Sequence, residues 1–139
     1  MLLVFQGENS YISPSWYASK AEDGKVVPTW NYVSVHARGR LKIVDDAVWL
    51  RAQLEQLTAH NEKSQPQPWS VGDAPADFTE KLMTAIIGFE VVITDLHVKW
   101  KVSQNRVAKD QLSVVDGLSH SGQHGMADLV RSRGSTAGG

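Results

Sequence analysis

Five ring-bearing residues, Trp16, Tyr17, Trp30, Tyr32 and Trp100, stand beside a set of cations, hydroxyls and amides: Lys20, Lys99, Lys101, Ser103, Gln104 and Asn105. A flat, anionic, partly polar ligand such as a flavin nucleotide needs these parts. It takes a ring platform, amides for the polar edge of the ring, and cations with hydroxyls for the phosphate. The same residues also suit packing in a core or between subunits, with the lysines on a solvated edge, and the pattern alone leaves both readings open.

Other chemistries find less support. Of the histidines, His36, His60, His97, His120 and His124, only the last two share helical i, i+4 spacing, and no glutamate stands between them as in HExxH; surface positions suit them better than a metal site. There is no G-x-S-x-G, no cysteine and no Walker-type glycine loop, so no catalytic residue is assigned and hydrolysis by nucleophile or acid–base pair is not suggested.

The element best placed to present the aromatic set is a strand over 26–38. Its odd positions, Val27, Thr29, Asn31, Val33, Val35 and Ala37, are compact and suit a barrel interior. Its even positions include Trp30, Tyr32, Ser34, His36 and Arg38, side chains with an apolar body and a polar tip that suit a ligand or a second subunit. At Gly39 a bulge and a tight hairpin are both open, the bulge being favoured because Arg-Gly-Arg lacks the Asn-Gly or Asp-Gly of a two-residue turn, with Leu41 and Ile43 then continuing the strand. The opening MLLVFQG has the composition of an interior strand, which needs neighbours on both sides and so implies a truncated chain or a strand supplied by a partner. Gly7–Ser10 forms a turn cluster, 11–13 a short strand and 14–24 a loop.

Asp45 and Asp46 cap a helix over 47–60, with Leu50, Leu54 and Leu57 on one face and an Arg51–Glu55 pair on the other. After a polar connection over 60–69, Asp77–Glu80 has capping-box spacing, and Phe78, Leu82, Met83, Ile86 and Ile87 form a stripe expected to be buried until Gly88 stops the helix. The period returns to two from Phe89. There Leu96, Val98, Trp100 and Val102 face one way, and His97, Lys99, Lys101, Ser103 and Asn105 the other. A helix is expected over 107–118, so the domain covers 1–118. Residues 119–139 form a Gly/Ser-rich tail with room for a short helix around Met126, Leu129 and Val130, and a mobile GSTAGG end.

The 139 residues carry a net charge of −1 and are 42% hydrophobic, the profile of one ordinary globular domain. The order strands, helix, helix, strand, helix suggests a mainly β fold with flanking helices (α+β), a mostly antiparallel barrel. No run of 18 apolar residues and no signal peptide is visible, and there is no cysteine, which together point to a soluble cytoplasmic protein without a membrane partner. The near-neutral charge and the lack of a basic recognition helix count against direct DNA binding; DNA is a partner only indirectly or through a further segment.

At YISPSWYASKAEDGKVVPTWNYVSVHARGRLKIVDD, followed by PWSVGDAPADFTEKLMTAIIGFEVVIT and KWKVSQNR, the chain closely resembles the PaiB-type FMN-binding negative transcriptional regulators over residues 2–118. That resemblance implies an FMN-binding split β-barrel related to the pyridoxamine-phosphate-oxidase-like flavoproteins, a homodimer with flavin where two subunits meet. It implies a structural or ligand-lining role for Trp30, Asn31 and Tyr32, and for Lys99, Trp100, Lys101, Ser103, Gln104 and Asn105. Members of that family carry a further N-terminal segment with a histidine-bearing H-G-H-type motif. This chain starts after it, so part of the barrel and of the flavin site is expected to be missing, and FMN binding with it. A regulator is expected rather than a committed enzyme; a small FMN-dependent oxidoreductase or a dimeric scaffold with a vestigial pocket are the alternatives.

Overall fold

The computed structural model describes residues 1–134. Three strands, β1 (Leu2–Ile12), β2 (Thr29–Val44) and β3 (Gly88–Lys101), form one antiparallel sheet in the order β1-β2-β3. Five helices accompany it: α1 (Lys20–Asp23), α2 (Ala47–Glu62), α3 (Ala76–Met83), α4 (Ala108–His120) and α5 (His124–Gly134). The class is α+β, and the sheet does not close into a barrel. The chain divides into two compact units, one of residues 2–38 with 95 onward, the other of Met1 with 39–94.

In the first unit β1 pairs antiparallel with β2, Leu2 opposite Arg38 at one end and Ile12 opposite Thr29 at the other. The turn cluster expected at Gly7–Ser10 is not a turn. Both flanks pair with β2, so the extra residue there is absorbed as a register shift between Gln6 and Asn9. The bulge reverses the alternation of β1. Val4 and Gln6 before it, and Asn9 and Tyr11 after it, all come to lie opposite even-numbered residues of β2. The bulge expected at Gly39 has a different explanation: β2 runs on through this residue, and a Cβ there would stand 2.4 Å from the Val92 carbonyl oxygen.

On the other face of this ribbon Ile12, Asn31 and Ala37 are buried. Ile12, Tyr17 and Val102 cluster with Val114, Val115 and Leu118 of α4 and Met126, Ala127 and Val130 of α5. The short helix expected around Met126 and Val130 is α5, seated in the core; the rest of the GSTAGG end lies outside the described residues. The loop before α1 is tied to α4 by Asp110, whose carboxylate accepts from the Ser19 backbone N–H at 2.9 Å and its hydroxyl at 2.8 Å.

Gly117 of α4 lies under the indole of Trp16, where a Cβ would stand 2.4 Å from Cδ2. Gly117→Ala gains about 1 kcal/mol in helix propensity. It also forces the ring off the core cluster, and overpacking of this kind costs about 1–3 kcal/mol. The expected net result is a lower thermal midpoint, and a midpoint at or above wild type would show that Trp16 moves aside freely.

In the second unit, Asp46 caps α2 as expected, accepting from the Val48 and Trp49 backbone N–H groups at 2.9 and 3.1 Å, and Arg51 pairs with Glu55 at 3.0 Å. Two expectations fail. The capping box is not at Asp77–Glu80, since α3 starts at Ala76 behind Pro75 with no side-chain cap; it lies at Ser70 and Asp73, on a single 3-10 turn. The α3 stripe is not buried either: Phe78, Leu82, Ile86 and Ile87 are exposed. The helix is amphipathic, but within this unit only Val71, Thr79 and Gly88 are buried among the described residues, so no core receives the stripe.

Candidate functional site

The exposed face of the β1–β2 ribbon carries Trp30 and Tyr32 of the aromatic set, while Tyr17 lies in the core cluster, Trp16 packs against it and Trp100 is on β3. Trp30 and Tyr32 alternate with buried Asn31, and Tyr11, brought onto this side by the bulge, meets Trp30 edge-to-face with centroids 6.2 Å apart and planes at 62°. A cavity of about 330 Å³ opens between Val4, Gln6 and Asn9 of β1 and Trp30, Tyr32, Ser34 and His36 of β2. Rings wall it, while amide, hydroxyl and imidazole groups supply donors and acceptors. That donor set suits a flat heteroaromatic ring with a polar edge, and the volume is at the lower end of small-ligand sites.

The second set lies at the end of β3 and in the turn after it. Lys101 donates from Nζ to Thr29 Oγ1 at 2.8 Å, next in the chain to Trp30. Ser103 is buried and holds φ at 61°, a left-handed conformation that serine seldom adopts. Its Oγ accepts from Asn31 Nδ2 at 2.9 Å, and Asn31 Oδ1 is buried without a partner among the described residues. A buried amide oxygen is an acceptor in want of a donor. Lys99 and Asn105 are exposed. Gln104 turns back onto the strand, accepting from the Val102 N–H and donating to the Trp100 carbonyl, both at 2.7 Å.

The structure thus brings Asn31 and Ser103 together on the helix-covered side of β2, leaves Lys101 exposed at the strand end beside Thr29, and sets Trp30 and Tyr32 on the open side. Strand alternation separates residues adjacent in sequence. Gln104 spends its amide on the turn. Lys20 donates to Ser15 Oγ at 3.3 Å, and no contact links it to the other candidates.

Three residues escaped the sequence reading. The guanidinium of Arg106 lies 4.5 Å from the Tyr17 ring centroid and that of Arg133 lies 4.3 Å from the Trp100 centroid. Gln111 holds the turn, as described below. Each guanidinium is thus spent over an aromatic ring, a cation–π contact. Lone arginines at these spacings carry no sequence signal.

A larger cavity, about 660 Å³, lies in the other unit between Ile43, Leu50, Met83 and Ile86. It holds none of the candidate residues. Asp45, Asp46 and Glu80 on its lining would repel a phosphate, so the smaller cavity is the better match to an anionic ligand with a flat ring. Among the described residues no helix is long and apolar enough to cross a membrane.

Comparison with known proteins agrees with this chemistry. Residues 1–95 match the family model described as "Putative FMN-binding domain". Uncharacterized protein AN0679 of Emericella nidulans is 36% identical over 96% of this chain and 59% of its own length. Protease synthase and sporulation protein PAI 2 of Bacillus subtilis is 32% identical over 86% of this chain and 55% of its own length. Uncharacterized protein YKL070W of Saccharomyces cerevisiae is 43% identical over 48% of this chain. The chain spans somewhat more than half the length of the first of these relatives.

Proposed function

The chain belongs to the FMN-binding domain family, and from that membership we propose that it is a dimeric, cytoplasmic, FMN-dependent regulator of transcription of the PaiB type. FMN is the cofactor of this domain, and when bound it supplies the electron chemistry of its isoalloxazine ring. The observation that carries the site is the cavity on the open β1–β2 face, with Trp30 and Tyr32 as its ring walls. Gln6, Asn9 and Ser34 serve the polar edge of the ring. Lys101, beside Thr29 at the end of the same ribbon, takes the phosphate with help from Lys99.

Dimerisation rests on the same face: Leu2, Val4, Tyr11 and Trp30 present apolar surface to solvent, which a second copy would cover. The regulatory role rests on the likeness to PAI 2, a protein named for protease synthesis and sporulation. Contact with DNA, on this reading, runs through a partner or a segment beyond these residues.

The test is a titration with FMN and with riboflavin, followed by flavin fluorescence and the thermal midpoint. A ligand at 100 times its Kd adds about 2.7 kcal/mol to a folded form that alone binds it. Lys101→Ala is expected to lower affinity for FMN about tenfold and for riboflavin hardly at all. Trp30→Ala is expected to weaken both ligands. Because Trp30 is 50% exposed, the unliganded monomer should lose little stability. Equal losses for the two ligands in Lys101→Ala would remove the phosphate assignment, and unquenched fluorescence in the wild type would remove the flavin site. Addition of a reductant to the loaded protein reports a redox role by bleaching.

A further inference from the structure

The turn after β3 is an unlikely place for a stable loop on its own terms. Ser103 sits in the left-handed region, closing a turn in which the Arg106 N–H donates to the Ser103 carbonyl at 3.0 Å. A non-glycine residue there is strained, and such strain persists only where the surroundings hold it. Asn31 holds the Ser103 hydroxyl and the Gln104 amide bridges Val102 and Trp100, and one further side chain reaches the carbonyls of the turn. Gln111, on the first turns of α4 and 9% exposed, donates from Nε2 to the carbonyls of Arg106 at 2.8 Å and Ser103 at 3.3 Å, with that of Gln104 at 3.5 Å.

We infer that Gln111 is the positioning residue of the segment that presents Lys101 and Ser103, and that α5 holds Gln111 in place. The support from α5 is direct: a Cβ on Gly134 would stand 2.0 Å from Gln111 Oε1, so that helix packs against the amide with no room for a side chain. Arg133, one residue earlier, covers the Trp100 ring on the strand that leads into the turn. Both contacts come from residues outside the 1–95 stretch that matches the family model. Gln111 touches no ligand on this reading; its two N–H donors act on the carbonyls of Arg106 and Ser103 and so hold the turn in one arrangement. The part of the inference that concerns phosphate rests on the proposed function, while the part that concerns the turn does not.

Two measurements separate them. The first is amide hydrogen exchange of the unliganded protein, read at Val102 and Arg106 in the turn and at Val114 and Leu118 in α4. In Gln111→Met, which keeps the volume and loses the donors, the turn amides are expected to exchange at least tenfold faster while those of α4 are unchanged. Unchanged turn amides would overturn the positioning role. Should Gln111→Met fail to fold, Gly134→Ala displaces the same amide from the opposite side with its chemistry intact, and the same acceleration is expected. The second is the ratio of FMN to riboflavin affinity, expected to fall about tenfold in either variant. A wild type that binds both ligands equally would overturn the phosphate site but leave the exchange result to decide the positioning. A wild type that prefers FMN, with variants that keep its ratio, would overturn the link between Gln111 and the ligand.

Discussion

Asp110→Ala is expected to lower the thermal midpoint by about 10 °C at neutral pH. The carboxylate is 3% exposed and accepts two hydrogen bonds from Ser19, one from the backbone and one from the hydroxyl. Each hydrogen bond to a charged group contributes about 1.5–3 kcal/mol, so losing both costs roughly 3 kcal/mol or more. A protein of this size loses about 3–4 °C per kcal/mol. The contact spans ninety-one residues of sequence and fastens the loop at Ser19 to α4, so little local structure can compensate for it.

The same contact sets a pH dependence. Burial, the largest influence on this group, pushes its carboxyl upward. The two Ser19 hydrogen bonds and the nearby Lys109 and Arg106 more than reverse that, and the net result lies below the ordinary value of 3.8. A carboxyl lowered on folding adds stability that is complete above its unfolded value and fades as the pH falls through the folded one. The gap in midpoint between wild type and Asp110→Ala should hold constant from about pH 6 to 8 and narrow below about pH 4. A gap that persists undiminished at pH 3 would mean that the contact does not depend on the charge.

Much of the ribbon was legible because a strand has a strict period. Trp30, Tyr32, Ser34 and His36 fall on one side of β2 as alternation requires, with Asn31 and Ala37 buried on the other. What alternation could not show was the parity change in β1, since Gly7 and Glu8 have turn composition and only pairing with β2 makes them a bulge. The end of β3 was legible as a cluster of cations and amides, but not as an arrangement. Gln104, to which the resemblance gives a structural or ligand-lining role, closes a turn, while Gln111, which lies in an ordinary helical pattern, holds that turn. Both are contacts between a side chain and the backbone of a loop, for which sequence period carries no information. The α3 stripe erred in the other direction. Amphipathic spacing reports which face is apolar and not whether anything covers it, and Phe78, Leu82 and Ile87 remain exposed.

The C-terminal helix gives the largest expected effect. Met126→Ala removes a side chain that is fully buried among Val114, Leu118 and Val130 in the core cluster, and truncations of this kind cost about 2–5 kcal/mol because the cavity left behind closes only in part. The thermal midpoint should fall by about 6–20 °C. Leu112→Ala, on α4 but 67% exposed, provides the contrast, with an expected change within about 0.5 kcal/mol. Glycine and serine lower the local helix propensity around α5, so packing has to supply what propensity does not, and the burden falls on Met126 and Val130. If the midpoint of Met126→Ala matched that of Leu112→Ala, α5 would be detached in solution and its hold on Gln111 and Trp100 would go with it.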